Sequence, residues 1–490
     1  MKLFNFHKPI VGGVHPIARK AESNALPINV MPIPKRLYVP VQQHSGNPAV
    51  PEVGVGDHVW KGQLLAHGQG NISAPVHSPT SGTIIAITPH TAPHPSGLPI
   101  LTIVIESDGE DRWLDNVVPI DPFSLSAEEM IDKVGQAGIV GMGGATFPAV
   151  VKLRLSRRSK VHTFIINGGE CEPYMTCDDR LMRERPEQIV DGIRIVLHAT
   201  QVERALIGIE DNKPEAIAAM RLACRHRADI KVIPVPALYP MGSAQHLIKT
   251  LMGVEVPSDG RSADVGALVH NVGTVYAIHK AVRFGQPLVS RVITVSGGAV
   301  KQPRNIEVPI GALLSDVFEF VGGFEQAAAR VVMGGPMMGY VVPDLNVPVV
   351  KGTSGILALT AKEVSEQQPM PCIRCGSCVD ACPCGLLPLQ MAAHIRSDKL
   401  DKATEFGLVD CIACGCCSYV CPSHIPLIQY FSYAKSELAD QQRAVHKNEE
   451  TKKLVELRKQ RLDREAAEKA AAIAKRKADA AARKKTEKAS

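Results

Sequence analysis

The sequence predicts a multidomain chain of the α/β and α+β class, and three observations carry that prediction. Short alternating strands broken by Gly, Pro, Asn, Asp and Ser turns run from about Lys35 to Trp113. Strand and helix patterns then alternate through about Arg283, and two dense cysteine runs follow, Cys372 to Cys382 and Cys411 to Cys421. At 490 residues the chain has room for about three or four domains with their own cores.

Composition narrows the function classes. Hydrophobic residues make up 45% and aromatics 4%, so the cores rely on aliphatic packing. The opening MKLFNFHKPIVGGVHPIARK has neither an uninterrupted apolar core nor a cleavage-site pattern, and no run of about 18 apolar residues occurs. The expectation is a cytoplasmic chain that touches a membrane only through partners. Thirteen cysteines in a reducing compartment argue against a disulfide framework and for metal or redox work.

The net charge of +6 is a tail property. Residues 441–490 hold sixteen Lys/Arg against eight Asp/Glu, a net of +8 that leaves the rest of the chain at −2, so the folded body gives no sign of nucleic-acid binding. The tail, taken as 436–490, is rich in Ala, Lys and Glu, with Glu/Lys pairs at helical spacing and no apolar stripe. It reads as a solvated helix or a disordered extension; contact with acidic lipid headgroups or with a partner is the alternative.

Residues 1–120 form the first unit. Its pattern VGDHVWKGQLLA followed by APVHSPTSGTI resembles the biotinyl/lipoyl-type barrel-sandwich hybrid, in which two such hairpins pair. No Met-Lys-Met or Asp-Lys-Ala tip is present, so a docking or scaffold role is expected. Residues 121–285 follow as an α/β domain with a mainly parallel, Rossmann-like sheet. GMGGATFPAVVKL, Gly141 to Leu153, is a glycine-rich loop that lets backbone N–H groups approach a phosphate or flavin, with Lys152 placed to bring a charge. A tight turn alone also accounts for such a loop, which fits neither GxGxxG nor the Walker pattern.

Together, Gly141, Gly143, Gly144, Ala145, Phe147, Pro148 and Lys152, then Asn167, Glu170, Glu172, Pro173 and Asp179-Arg180, resemble the flavin- and NADH-binding subunit family of respiratory complex I, whose pattern is GxGGAGFPxxxK, NADExEP and DR. Tyr239, Gly242 and Leu247, then Asn271, Val272 and Thr274, resemble its later flavin-contacting loops. The resemblance implies FMN and NADH binding. Departures are Gly169 in place of an Asp, and Ser243 and Ala244 in place of a paired acidic motif; they bear on the nicotinamide contacts more than on the flavin site. Cys171 and Cys177 read as buried packing residues. Residues 286–360 resemble the β-grasp (SLBB-like) module that follows the flavin domain in the same family, with a structural role.

Residues 361–435 answer the cysteine pattern. Cys372, Cys375, Cys378 and Cys382 before Pro383 fit C-x2-C-x2-C-x3-C-P, and Cys411, Cys414, Cys417 and Cys421 before Pro422 fit it again. In such a two-cluster ferredoxin domain the first three thiolates hold one cubane and the fourth reaches the other. The expected sets are therefore Cys372, Cys375, Cys378 and Cys421 for one 4Fe–4S centre, and Cys411, Cys414, Cys417 and Cys382 for the second. Zinc knuckles need only four ligands per site and leave the in-register prolines unexplained. Cys384 and Cys416 are surplus, either tuning or filling space.

The whole domain order resembles the C-subunit family of bacterial Rnf (Rsx) ion-translocating electron transport complexes. That resemblance implies a peripheral subunit on the cytoplasmic side of the inner membrane, docked on integral-membrane and other subunits, exchanging electrons between NADH and a ferredoxin-level acceptor. Two further readings stay open: a non-catalytic iron–sulfur relay with a vestigial flavin domain, and reduction of a redox-sensing transcription regulator by the same complex. A structural docking protein with clusters as staples leaves the double cassette without a purpose.

Overall fold

The structure, a computed structural model, describes residues 10–115, 118–364 and 367–487. The first nine and last three residues, part of the leader and tail readings above, lie outside the described residues. Two units are distinguished: residues 10–388 with Ile412–Ile425, and Leu389–Cys411 with residues 426–487.

In the first unit, strands Arg36–Pro40, Pro99–Ser107, Gly82–Thr91 and His58–Val59 form an antiparallel sheet, and Val50–Pro51, Leu64–His67 and Val76–His77 form a smaller one. Val39, Val59, Leu65, Ile84, Ile103 and Ile105 are fully or nearly fully buried in the shared core. These alternating aliphatic positions are the inward faces of half-buried strands.

The α/β domain has a four-stranded, wholly parallel sheet in the order Ile230–Val235, Arg204–Glu210, Thr163–Gly168, Ala267–Asn271. Its central strands read TFIING and RALIGIE, near-continuous apolar runs suited to a sheet covered on both faces. Helices Pro186–Thr200 and Val272–Phe284 pack on one face and Ala244–Met252 on the other. The third sheet joins six strands in the order Asn29–Val30, Arg304–Pro309, Ser290–Ser296, Gly355–Leu359, Arg330–Met333, Tyr340–Val341, with helix Leu314–Phe320 against it.

Residues 10–34 carry no sequence pattern, yet they run as a strap over the later domains. Asn29 and Val30 pair with Ile306 and Glu307, and Val14 bridges to Tyr239. A strap held by backbone hydrogen bonds needs no hydrophobic periodicity of its own, which is why the sequence does not announce it.

The second unit contains helices Pro388–Arg396 and Leu400–Glu405, the spacer between the cassettes, and the helix Leu427–Glu487. Leu427, Phe431 and Ala434 are buried at its start, whereas the described side chains beyond residue 440 are exposed. No helix among the described residues is long and apolar enough to cross a membrane.

Three parts of the first unit meet at one ammonium. Lys351 is 1% exposed, and its Nζ donates to Pro75 O at 2.7 Å and Gly138 O at 2.8 Å. Burial pushes its pKa down to about 7, and burial with the Lys351 charge holds His44 at about 4 and His77 at about 3. Below about pH 7 the lysine is protonated in both folded and unfolded chains, so the desolvation cost is fully present. Between about 7 and 10.5 the unfolded chain binds the extra proton, so stability rises with pH, by about 1.4 kcal/mol per unit at most. The unfolding temperature of the native chain relative to Lys351→Met is therefore expected to climb between pH 7 and pH 9.5; a pH-independent difference rejects the assignment.

Candidate functional site

Strand order decides where a ligand binds. The strand Thr163–Gly168 has Arg204–Glu210 on one side and Ala267–Asn271 on the other, so chain order reverses between Thr163–Gly168 and Ala267–Asn271. In open parallel sheets the crevice beyond the carboxyl ends at such a reversal receives ligands. Asn167 and Asn271 are register partners there, the last residues paired between the two strands.

The neighbouring loops are tied to these two asparagines. Asn167 Nδ2 donates to Gly242 O at 2.8 Å and its Oδ1 accepts from Gly169 N at 3.0 Å. Asn271 Oδ1 caps helix Val272–Phe284 by accepting from Gly273 N at 2.8 Å, and its Nδ2 donates to Asp178 Oδ2 at 2.6 Å. Thr274 Oγ1 accepts from Met142 N at 2.9 Å, pinning the glycine loop to the first turn of that helix. Gly141 N donates to Phe147 O at 2.8 Å and closes the loop on itself. A Cβ on Gly143 would lie 3.5 Å from Asn271 Cβ, while one on Gly144, at φ +130°, would meet nothing within 4 Å. Gly141, Gly143, Gly144, Phe147, Asn167, Gly242, Asn271 and Thr274 thus border one cleft whose glycine edge is open.

Lys152 sits one turn into helix Ala149–Arg158, whose N-cap, Pro148, provides no side-chain cap. Burial lowers the Lys152 pKa, and its Nζ forms no hydrogen bond or ion pair among the described residues. Behind it His270 is 2% exposed with neither ring nitrogen partnered; burial, then the Lys152 charge, holds it neutral at about 3. An uncapped helix N-terminus, an open glycine loop and an unpaired half-buried cation are the donor set an anionic phosphate needs.

Glu170 and Glu172 face away from that edge. The Glu170 carboxylate accepts from Asp178 N at 3.0 Å, Asp179 N at 3.3 Å and the Cys177 thiol at 3.2 Å, capping helix Cys177–Glu184. Burial and the Glu170 charge raise the Cys177 thiol and bring Asp178 up to about 7. Glu172 accepts from Met337 N at 3.0 Å and Met338 N at 2.8 Å, and burial pushes it up to about 7. The Tyr239 hydroxyl donates to Cys414 O at 2.7 Å. A residue that motif reading passes over holds this loop: Lys20 Nζ donates to the carbonyls of Glu170, Glu172 and Met175 at 2.7, 2.8 and 2.7 Å. Its partners lie about 150 residues downstream, beyond any local pattern.

The cassettes repeat one backbone. Arg374 and Gly376 have φ of 57° and 83°, and Ala413 and Gly415 have φ of 55° and 80°, at equivalent positions. Two left-handed residues curl the chain in each turn. Burial raises the Cys378 thiol, and the charges of Cys375, Cys421 and Cys372 add to it. The Cys416 thiol is raised by its hydrogen bond to Cys414, then by burial and by the charges of Cys414, Cys417 and Cys382. Cys411 belongs to the second unit.

Known families cover the same segments. Residues 8–110 match the RnfC barrel sandwich hybrid domain, 134–280 the Nuo51 FMN-binding domain, 292–341 the SLBB domain and 371–425 the 4Fe–4S dicluster domain. The C-subunit of the ion-translocating oxidoreductase complex of Rhodobacter capsulatus is 48% identical over 82% of this chain and 77% of its own length. That of Serratia proteamaculans is 47% identical over 81% of this chain and 57% of its own, and that of Salmonella typhimurium 44% over 84% and 56%. An NAD+-reducing [NiFe]-hydrogenase chain overlaps at 18% identity with a TM-score of 0.46, covering 68% of this chain and 70% of that one, too loosely to bear on the chemistry.

Replacing Lys152 by Ala is expected to weaken FMN retention by roughly 10- to 100-fold, the loss of one charge-assisted hydrogen bond, with cluster absorbance unchanged. FMN fluorescence titration measures it, and an unaltered affinity removes Lys152 from the site.

Proposed function

This chain belongs to the C-subunit family of ion-translocating oxidoreductase complexes and carries FMN-binding and 4Fe–4S dicluster domains, and from that premise we propose that it passes electrons between NADH and a ferredoxin-level acceptor. It does so as a peripheral subunit on the cytoplasmic side of the membrane, docked on the integral-membrane and other subunits of the complex. The observation that carries this reading is a shared wall: the loop Tyr239–Gly242 borders the asparagine cleft through Gly242 and touches the second cassette through Tyr239.

Each residue has a part in the proposal. The loop from Gly141 to Phe147 and the Lys152 ammonium bind the flavin phosphate, and Asn167, Gly242, Asn271 and Thr274 orient the rest of the cofactor. Glu170, Glu172 and Tyr239 hold the walls, since their polar atoms are engaged by protein partners. Cys372, Cys375, Cys378 and Cys421 ligate one cluster, and Cys411, Cys414, Cys417 and Cys382 the other. Held by these residues, a flavin would supply the switch between two-electron hydride chemistry and the one-electron chemistry of the clusters.

A second reading, a relay whose electrons come from another subunit, is favoured by Ser243 and Ala244 standing where the resembling family has an acidic pair. Anaerobic NADH titration of the purified full chain, reconstituted with iron, sulfide and FMN, separates the two. Bleaching of the flavin with reduced-cluster EPR signals is the expected result. Clusters that reduce with dithionite and ignore NADH make the chain a relay.

A further inference from the structure

Thr146 stands in the left-handed region at φ 46°, in a loop where the resembling complex I pattern has glycine at the same place. A β-branched residue with positive φ is a backbone outlier, and such a conformation lasts only where its surroundings hold it. The α/β domain anchors the loop near its ends, through Gly141 N on Phe147 O and Met142 N on Thr274 Oγ1. Ala145 and Thr146, between those anchors, are gripped from outside that domain.

The grip comes from the barrel-sandwich domain. Ser45 Oγ donates to Ala145 O, and Ser45 N donates to Thr146 O at 3.3 Å. In a planar trans peptide the N–H lies opposite its C=O. With both carbonyls turned to Ser45, the N–H groups of Thr146 and Phe147 face the other way, and neither peptide can flip without breaking a bond to Ser45. The turn that carries Ser45 is itself fixed. Asn47 N donates to Ile72 O at 2.9 Å, and a Cβ on Gly46, at φ +103°, would lie 2.1 Å from that same oxygen. His44 Nε2 lies 3.0 Å from Asn47 O and 3.1 Å from Ser73 Oγ. Gln43 Oε1 accepts from Lys351 N at 3.1 Å, which brings the neighbouring Gly352 against the loop from another side. A Cβ on Gly352 would lie 2.5 Å from Thr146 Cγ2, so the bare backbone there makes room for the threonine methyl.

Resting on the reading of this loop as the seat of the flavin phosphate, we propose that Ser45 is a positioning residue of the flavin site, acting through Ala145 and Thr146 and not by touching the cofactor. The barrel-sandwich domain, which has no carrier-lysine tip, then sets the shape of the loop before a flavin arrives. A loop with glycine at 141, 143 and 144 gives up much conformational freedom when a ligand orders it, and one ordered in advance gives up little. Ser45 thereby contributes to flavin affinity from outside the flavin-binding fold.

Two readouts on the full chain, reconstituted with iron and sulfide, test this. In the flavin-free chain, hydrogen exchange of the amides of residues 143–147 is expected to quicken severalfold in Ser45→Ala and to stay native in Ser45→Thr, which keeps the hydroxyl. In FMN fluorescence titrations Ser45→Ala is expected to weaken binding roughly 3- to 10-fold, the loss of one hydrogen bond, and Ser45→Thr to restore it. In a Thr146→Gly background, where the left-handed conformation carries no steric cost, the same Ser45→Ala change is expected to cost clearly less. Gly352→Ala crowds the Thr146 methyl from the other side; it is expected to weaken FMN binding in the native background and to be neutral beside Thr146→Gly. Unchanged exchange in Ser45→Ala overturns the proposal. So does an equal loss of FMN affinity in both backgrounds, which makes Ser45 a direct cofactor contact. A native chain that binds no FMN, while Ser45→Ala still loosens the loop, rejects the flavin reading alone.

Discussion

The loop between Asn167 and Cys177 depends on one half-buried ammonium above all. Lys20 meets three carbonyls of that loop, and burial, with Lys213 adding to it, lowers its pKa. Three carbonyls converging on one point would repel one another and stay unsatisfied without a cation, so the loop's shape requires the lysine. Everything the loop presents follows from that shape. Glu170 turns onto helix Cys177–Glu184, Cys171 meets Gly242, and Glu172 reaches the turn at Met337. Lys213, in a buried ion pair with Glu210, supports the same segment from below.

The same device recurs at Lys351, where one ammonium is shared by the carbonyls of Pro75 and Gly138. A buried lysine is an expensive fastener, since desolvation works against its charge. It is also a directional one, because its acceptors come from two different segments, Pro75 and Gly138. Apolar packing alone would let the β sandwich and the α/β domain slide, whereas a buried charge with two fixed acceptors does not. Rigid placement matters in a chain whose redox sites lie on different segments.

Much of the site was legible in the sequence. The double C-x2-C-x2-C-x3-C-P pattern needs no fold to be recognised, because the thiol spacing is itself the geometry of a cubane's shell. NGGECEP likewise marked the strand end, and GMGGATFP the loop between two helices, that border the cleft. What stayed hidden was which way the side chains point. Glu170, Glu172 and Tyr239 sit in the recognised motifs, yet their polar atoms go to helix, turn and cassette backbone. Lys20, the Gly12-Gly13 strap and Lys351 gave no local signal at all, since their partners are remote in sequence.

The chain by itself determined its domain classes and its ligand inventory, since periodicity, turn residues and cysteine spacing act over a few residues. Only the tertiary structure decided how those parts are used. Two cassettes with one pattern differ in their surroundings because Tyr239 meets Cys414 of the second while His246 and the strap meet Pro383 and Ala381 at the end of the first. Burial belongs to the surroundings of a residue and not to its spacing, so no reading of either cassette could have told them apart.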